Sequence, residues 1–174
     1  MSAPVGGIVF RPEEAADAAA VRALLLEAFG GPAEAKLVDQ LRSAGELVLG
    51  LVAVAAAPET IVGYLGFPRL QIETADGPRP AVGLAPLAVA SSHQGRGIGA
   101  TILRVGLDRL IARHEEIVFV LGDPALYGRF GFSADDAREF ASPYVGPHFM
   151  ARRLAAAAPR RGRLRYPAAF DAFG

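Results

Sequence analysis

The sequence predicts one mixed α/β domain over residues 1–174, built on a single sheet with helices on both faces. Three observations predict it. Apolar runs of strand length are interleaved with stretches of 3.6-residue periodicity. Their order is neither a strict strand–helix alternation nor a segregated one. A chain of 174 residues, 52% hydrophobic and 21% charged, is long and apolar enough for one substantial core.

The elements follow in order. Ile8 to Arg11 is a short apolar strand stopped by Pro12. Val21, Leu24, Leu25, Ala28 and Phe29 recur at helical spacing, with Glu13, Glu14 and Asp17 expected in the first turns, where the helix dipole favours acids. Gly30-Gly31-Pro32 ends that helix, and a second one turns Leu37, Val38 and Leu41 inward until Gly45. Leu47 to Ala55 is an almost unbroken apolar run, the pattern of a strand covered on both faces. Ala57-Pro58-Glu59 turns it into a partner strand, Ile61 to Phe67. After the turn Ala75-Asp76-Gly77-Pro78, a strand is expected from about Ala81 to Val89. Gly97 to His114 reads as a helix with Leu103, Leu107, Leu110 and Ile111 on one face. Ile117 to Leu121 is a strand, followed by a short helix around Ala125 to Phe130 and strands near Phe132 and at Phe149 to Leu154. The tail, residues 155–174, carries Leu164, Tyr166, Phe170 and Phe173 and is expected to dock on the domain.

Composition narrows the function classes. Eighteen basic and eighteen acidic side chains cancel, so no global field draws nucleic acid or an anionic membrane. The basic tail from Arg152 to Arg165 lacks an interleaved RNA-reading motif and reads as a solvated face. With no cysteine there is no disulfide, thiolate metal site or thiol nucleophile, and no metal is expected. Met1 to Gly7 lacks the basic and long apolar regions of a signal peptide, and no apolar run reaches membrane length. The expectation is a cytoplasmic protein.

The most informative segment runs from Leu87-Ala88-Val89 through Ala90-Ser91-Ser92-His93 into Gln94-Gly95-Arg96-Gly97-Ile98-Gly99-Ala100. A buried strand passes through a short loop into a helix start containing three glycines. Free N–H groups there, aided by the helix dipole, make an anion site, and glycines let a phosphate approach the main chain. The implied ligand is a pyrophosphate. A nucleotide P-loop needs G-x-x-x-x-G-K-[ST], but the single lysine is Lys36. A dinucleotide fingerprint needs a sixth-position glycine where Ala100 stands, and an acid some 20 residues on, where the Glu115-Glu116 pair precedes a strand. A ligand-free strand–helix turn is the third reading.

A family resemblance bears on the choice. Gln94 to Ala100 resembles the [R/Q]-x-x-G-x-[G/A] loop of GNAT acetyltransferases, which holds the pyrophosphate of coenzyme A. Leu87-Ala88-Val89 lies where that family's splayed strand takes the pantetheine arm, and Pro86, unable to donate, suits an interrupted ladder. Leu121 to Phe132 resembles the family's strand–helix–Y-x-x-x-G-F ending, with Tyr127 on its catalytic tyrosine. Ala33 to Val38, Ala85 to Val89 and Gly122-Asp123-Pro124 narrow the resemblance to the YhbS-like branch of predicted bacterial N-acetyltransferases.

The resemblance implies a mostly antiparallel mixed sheet, acetyl-CoA as co-substrate, and an amine acceptor attacking directly in a ternary complex. Leu87, Ala88, Val89, Gln94, Gly95, Arg96, Gly97, Ile98, Gly99, Ala100, Tyr127 and Phe130 would contact the cofactor. Tyr127 would protonate the departing thiolate. For the general base, Glu73, Asp123, His93 and water all stay open; Asp123 before Pro124 also reads as a helix cap. The implied assembly is a monomer or homodimer without nucleic-acid or membrane partners. Two rivals remain at this level: a noncatalytic acyl-CoA sensor or partner-binding module on the same scaffold, and a dinucleotide-binding oxidoreductase.

Overall fold

The computed structural model describes residues 6–56 and 58–173. Ala57, expected in the first turn, and most of the amino-terminal run lie outside them. The fold is mixed α/β, with a mostly antiparallel open sheet and helices. The described residues cluster into two compact units, one taking in the chain up to Phe67 with Ala85–Asp108, the other Pro68–Leu84 and Arg109 onward.

In the first unit, β1 (Ile8–Pro12) pairs antiparallel with β2 (Leu47–Ala55), which neighbours β3 (Thr60–Thr74). Between β1 and β2 lie α1 (Ala18–Phe29) and α2 (Ala33–Ser43). Gly30, in the left-handed region at φ +68°, closes α1 by donating to the Leu26 carbonyl. Leu37, Val38 and Leu41 of α2 are buried, each worth roughly 1.5–3 kcal/mol. The inward stripe of α1 is narrower than its spacing suggests: Val21, Leu24 and Leu25 are buried, whereas Ala28 and Phe29 are exposed.

The three acids before α1 do not fill its first turn. Asp17 takes both Arg11 nitrogens, at 2.7 and 3.0 Å, and the Glu14 N–H, which hold its carboxyl below the usual range. Glu13 accepts from Arg42 of α2 at 2.7 Å and from the Tyr64 hydroxyl of β3 at 3.1 Å. Burial raises the Tyr64 phenol. Gly50 of β2 leaves the room for this junction, because a Cβ there would fall on the Glu13 carboxylate.

Alternate residues of β3 face opposite ways. Tyr64 joins Glu13, while Leu65 and Phe67 lie against α3 (Ile98–Ala112) at Gly106, where a Cβ would come within 2.7 Å of the Phe67 ring. Helix α3 matches its expected span, with Leu103, Leu107 and Leu110 buried, but Ile111 is 43% exposed. Two strand expectations change. β3 runs seven residues past Phe67, and the strand expected over 81–89 is two strands, β4 (Gly77–Gly83) and β5 (Leu87–Val89). The interruption at 84–86 contains Pro86, whose carbonyl accepts from the Gly66 N–H.

In the second unit, β4 pairs antiparallel with β3 from Arg69↔Val82 to Thr74↔Gly77, placing Glu73 opposite Pro78 and Gln71 opposite Pro80. β6 (Ile117–Leu121) joins β4 in parallel at Val82 and Gly83 only, and β8 (Phe149–Arg153) pairs antiparallel with β6. The stretch expected as one short helix is α4 (Pro124–Tyr127) with a 3-10 turn over Gly128–Phe130, and near Phe132 there is only a bridge, Ser133↔Ala151. The structure adds α5 (Ala134–Ala137), β7 (Phe140–Ala141) and β9 (Gly162–Arg165). β9 lies antiparallel to β3 at Gln71–Glu73 and parallel to β7. Its Leu164 enters a core with Leu70, Ile72, Phe119, Phe140 and Phe149. Phe119 meets Phe140 edge-on at 4.8 Å and stacks on Phe149 at 5.8 Å, geometries that add to their area burial.

The tail arginines do structural work. Arg153 donates to the carbonyls of Ala156, Ala158 and Pro159, and Arg165 pairs with Glu73 at 2.6 Å, while Arg160, Arg161 and Arg163 stay exposed. Gly162 is the tightest point of β9. Its φ is +150°, and a Cβ would stand 2.5 Å from the Glu73 carbonyl oxygen. Because that neighbour is backbone, Gly162→Ala is expected to cost at least about 2 kcal/mol from strain and overpacking. Thermal denaturation should fall by at least about 4 °C; an unaltered midpoint would show that β9 yields freely.

Candidate functional site

The glycine loop belongs to the first unit. β5 lies antiparallel to β3, with Leu65↔Leu87, Tyr64↔Ala88 and Gly63↔Val89. Ala90 continues it by donating to Val62, and a 3-10 turn at Ser91–His93 leads to the loop. Glu27 of α1 braces that turn, accepting from the Ser91 hydroxyl at 2.6 Å and its N–H at 3.3 Å, which depress the carboxyl. Gln94 reaches back to the Val89 carbonyl at 3.2 Å. Gly95 and Gly97 sit at φ +78° and +79°, where L side chains are strained, and nothing lies within 4 Å of a Cβ at either. The first helical bond of α3 runs from Thr101 to Gly97 at 3.0 Å. The first-turn N–H groups of Ile98, Gly99 and Ala100 therefore lie at the end where a helix has no internal acceptors. Ile98 is buried and anchors the start, and Arg96 is exposed on the loop.

Gly99 differs from its neighbours. Its φ is ordinary and a Cβ would make an unstrained 3.7 Å contact with Val89. Nothing in the fold demands glycine there, although inside a helix glycine costs about 0.5–1 kcal/mol relative to alanine. Without a Cβ at this position, the main chain of the helix start is open to close approach. His93 bonds the Ser92 hydroxyl through Nδ1 at 2.8 Å and, with Asp17, Glu27 and Glu59, lines an open groove of about 500 Å³.

Tyr127 belongs to the second unit. Asp123 caps α4, accepting from the Ala125 N–H at 2.9 Å, and Pro124 occupies the first helical position. That short helix delivers Tyr127, 7% exposed, against Phe132, the two rings edge-to-face at 5.8 Å. Gly122 opens the other side, since a Cβ there would stand 2.5 Å from Tyr127 Cε2. Burial alone pushes the phenol up to about 12, so it stays protonated at neutral pH, as a proton donor must. Phe130, half-buried on the following 3-10 turn, has its carbonyl held by Arg152 at 3.1 Å.

Of the base candidates, Asp123 is occupied as a cap and Glu73 is an exposed partner of Arg165. Sequence reasoning missed Glu27, the room that Gly122 leaves for the Tyr127 ring, and the Glu13–Tyr64–Arg42 junction. Only a glycine directly before a capped tyrosine helix was there to signal one of them. Among the described residues no group of three or more His, Asp or Glu could hold a metal ion, and no helix is long and apolar enough to cross a membrane.

Comparison with known proteins gives the wider frame. The family described as an acetyltransferase (GNAT) domain matches residues 9–134. The uncharacterized N-acetyltransferase YhbS of Escherichia coli K12 is 38% identical over 150 residues, covering 85% of this chain and 88% of that protein. A second uncharacterized N-acetyltransferase of that organism, YjhQ, is 33% identical over 141 residues, or 79% and 77% of the two chains. The crystal structure of E. coli YhbS in complex with CoA superposes with a TM-score of 0.87 at 34% identity, covering 100% of this chain and 97% of that one. A GNAT acetyltransferase of Brucella melitensis, crystallised with acetyl-CoA, superposes at 0.79 with 30% identity, covering 94% and 98%. The chain belongs to the GNAT acetyltransferase family and is an acyltransferase.

Proposed function

We propose that the protein moves the acetyl group of acetyl-CoA to a primary amine of a small molecule or peptide, by direct attack in a ternary complex and as one catalytic domain. The observation that carries this reading is the loop from Gln94 to Ala100, two left-handed glycines opening onto a helix start one short 3-10 turn after β5. The CoA and acetyl-CoA complexes of its relatives support the choice of ligand. On this reading residues 94–100 receive the pyrophosphate, and Leu87, Ala88 and Val89 run beside the pantetheine arm. Their main-chain N–H groups hold the carbonyl oxygen where negative charge develops. Phe130 flanks the cofactor and Tyr127 protonates the departing thiolate. A chain without cysteine has no thiol on which to park the acetyl group, which favours direct attack.

A noncatalytic acyl-CoA sensor would use the same loop, but it would leave the buried Tyr127 phenol without a task. A screen of acetyl-CoA consumption across polyamines, amino acids, aminoglycosides and peptides separates the two. Amine-dependent release of CoA is expected. Binding of CoA with no release for any amine would establish the sensor, and no binding at all would sink both.

A further inference from the structure

The loop that follows β7, residues 142–148, returns the chain to β8 and ends at His148. This residue is exposed and doubly tied to Gly122: its carbonyl accepts from the Gly122 N–H at 3.0 Å, and its Nδ1 stands 3.2 Å from the Gly122 carbonyl oxygen. A carbonyl oxygen only accepts, so Nδ1 carries the hydrogen in that contact. In a neutral imidazole the other nitrogen, Nε2, then holds the lone pair. Gly122 is also the residue whose missing Cβ makes room for the Tyr127 ring. One glycine thus carries a proton acceptor on its peptide group and the proton donor against its α-carbon.

We propose that His148 is the general base of the transfer reaction, a role that rests on the function assigned above. The incoming ammonium loses a proton to Nε2, which frees the nitrogen lone pair. That pair forms the N–C bond at the thioester carbonyl, and the carbonyl π pair moves to oxygen. Its return expels the sulfur, which takes a proton from Tyr127. The attacking nitrogen loses its second proton as the amide forms, and that proton restores the phenol. The imidazolium releases its own to water, so the net products are amide, CoA thiol and one proton. The charged or titratable groups on these elements are Asp123, engaged by the Ala125 N–H, Tyr127 on α4, Tyr144 on the same loop, and Arg152 and Arg153 of β8, the first held on the Phe130 carbonyl and the second on the carbonyls of Ala156, Ala158 and Pro159.

His148→Asn tests this, because its amide still donates to the Gly122 carbonyl but offers no base. With an amine the wild type accepts in the screen, kcat/KM at neutral pH should fall about 10²–10⁴-fold, with CoA affinity unchanged by calorimetry. The deficit should shrink as pH rises, because more of the amine then arrives unprotonated. His148→Gln, which puts its amide where Nε2 stands, should show the same deficit. Wild-type kcat/KM in His148→Asn, or an equal loss at every pH, overturns the base. Absence of transfer by the wild type with every amine overturns the assigned function, and His148 with it.

Discussion

Tyr127→Phe is expected to lower turnover at least about tenfold, and up to the 10²–10⁴-fold that acid–base assistance supplies, while leaving CoA affinity nearly unchanged. The substitution removes one oxygen and keeps the ring between Phe132 and the space left by Gly122. The energetics set a condition on the role. A phenol held at about 12 and a thiol near 8.5 differ by roughly 3.5 units, or about 5 kcal/mol against full transfer. Tyr127 therefore serves only if the sulfur is desolvated with it, or if the proton moves as the C–S bond breaks. Steady-state kinetics with calorimetric CoA binding checks the expectation. Wild-type turnover in the Phe variant would make the tyrosine a packing residue, with water as the acid. Lost CoA affinity would assign the ring to the shape of the cofactor pocket.

The second large effect belongs to Gly99. Saturating CoA, at about a hundred times its dissociation constant, should stabilise the wild type by roughly 2.7 kcal/mol, which raises the melting temperature by about 5–11 °C. Gly99→Val should abolish most of that rise, because its methyl groups stand where a phosphate would meet the helix start. The unliganded variant should still fold, since φ at 99 is ordinary and its Cβ would make only an ordinary 3.7 Å contact with Val89. Gly97→Val is the harsher companion, because φ +79° forces the loop itself to change. An intact CoA response in both variants would show that this loop holds no pyrophosphate.

What was legible in the chain follows from how local each signal is. β2 and α2 match their expected spans because an unbroken apolar run and a periodic one with glycine behind it are specified by adjacent residues. Asp123 before Pro124 reads as a cap for the same reason, and it caps α4. β3 outruns its expected end at Phe67 and continues through Pro68 to Thr74. Pro68 falls between the residues that pair with β5, Gly63 to Leu65, and those that pair with β4, Arg69 to Thr74. β7, β9 and α5 are too short to show periodicity, and their partners are distant in sequence, as in Gln71 with Arg165. The candidate site divides likewise. The cofactor loop announces itself because every part of it is contiguous. Tyr64 and Glu13 stand 51 positions apart, and the contact of His148 with Gly122 spans 26, so neither leaves a pattern to read.

The prolines of β4 have a consequence for solubility. Facing Glu73 and Gln71, Pro78 and Pro80 occupy the sites of the antiparallel ladder where no hydrogen bond is exchanged, so their missing N–H groups lie on the opposite side of the strand. β6 reaches that side only at Val82 and Gly83. The rest of it is an open border, the kind on which another strand could be added, and there the backbone offers no donor at two alternate positions. Arg79, between the two prolines, places a charge along the same stretch, paired with Glu116. β9 occupies the opposite border of the hairpin, on β3. β9 fills part of one flank of this hairpin and the prolines strip donors from the other, which works against strand-by-strand addition without help from net charge, formally zero in this chain.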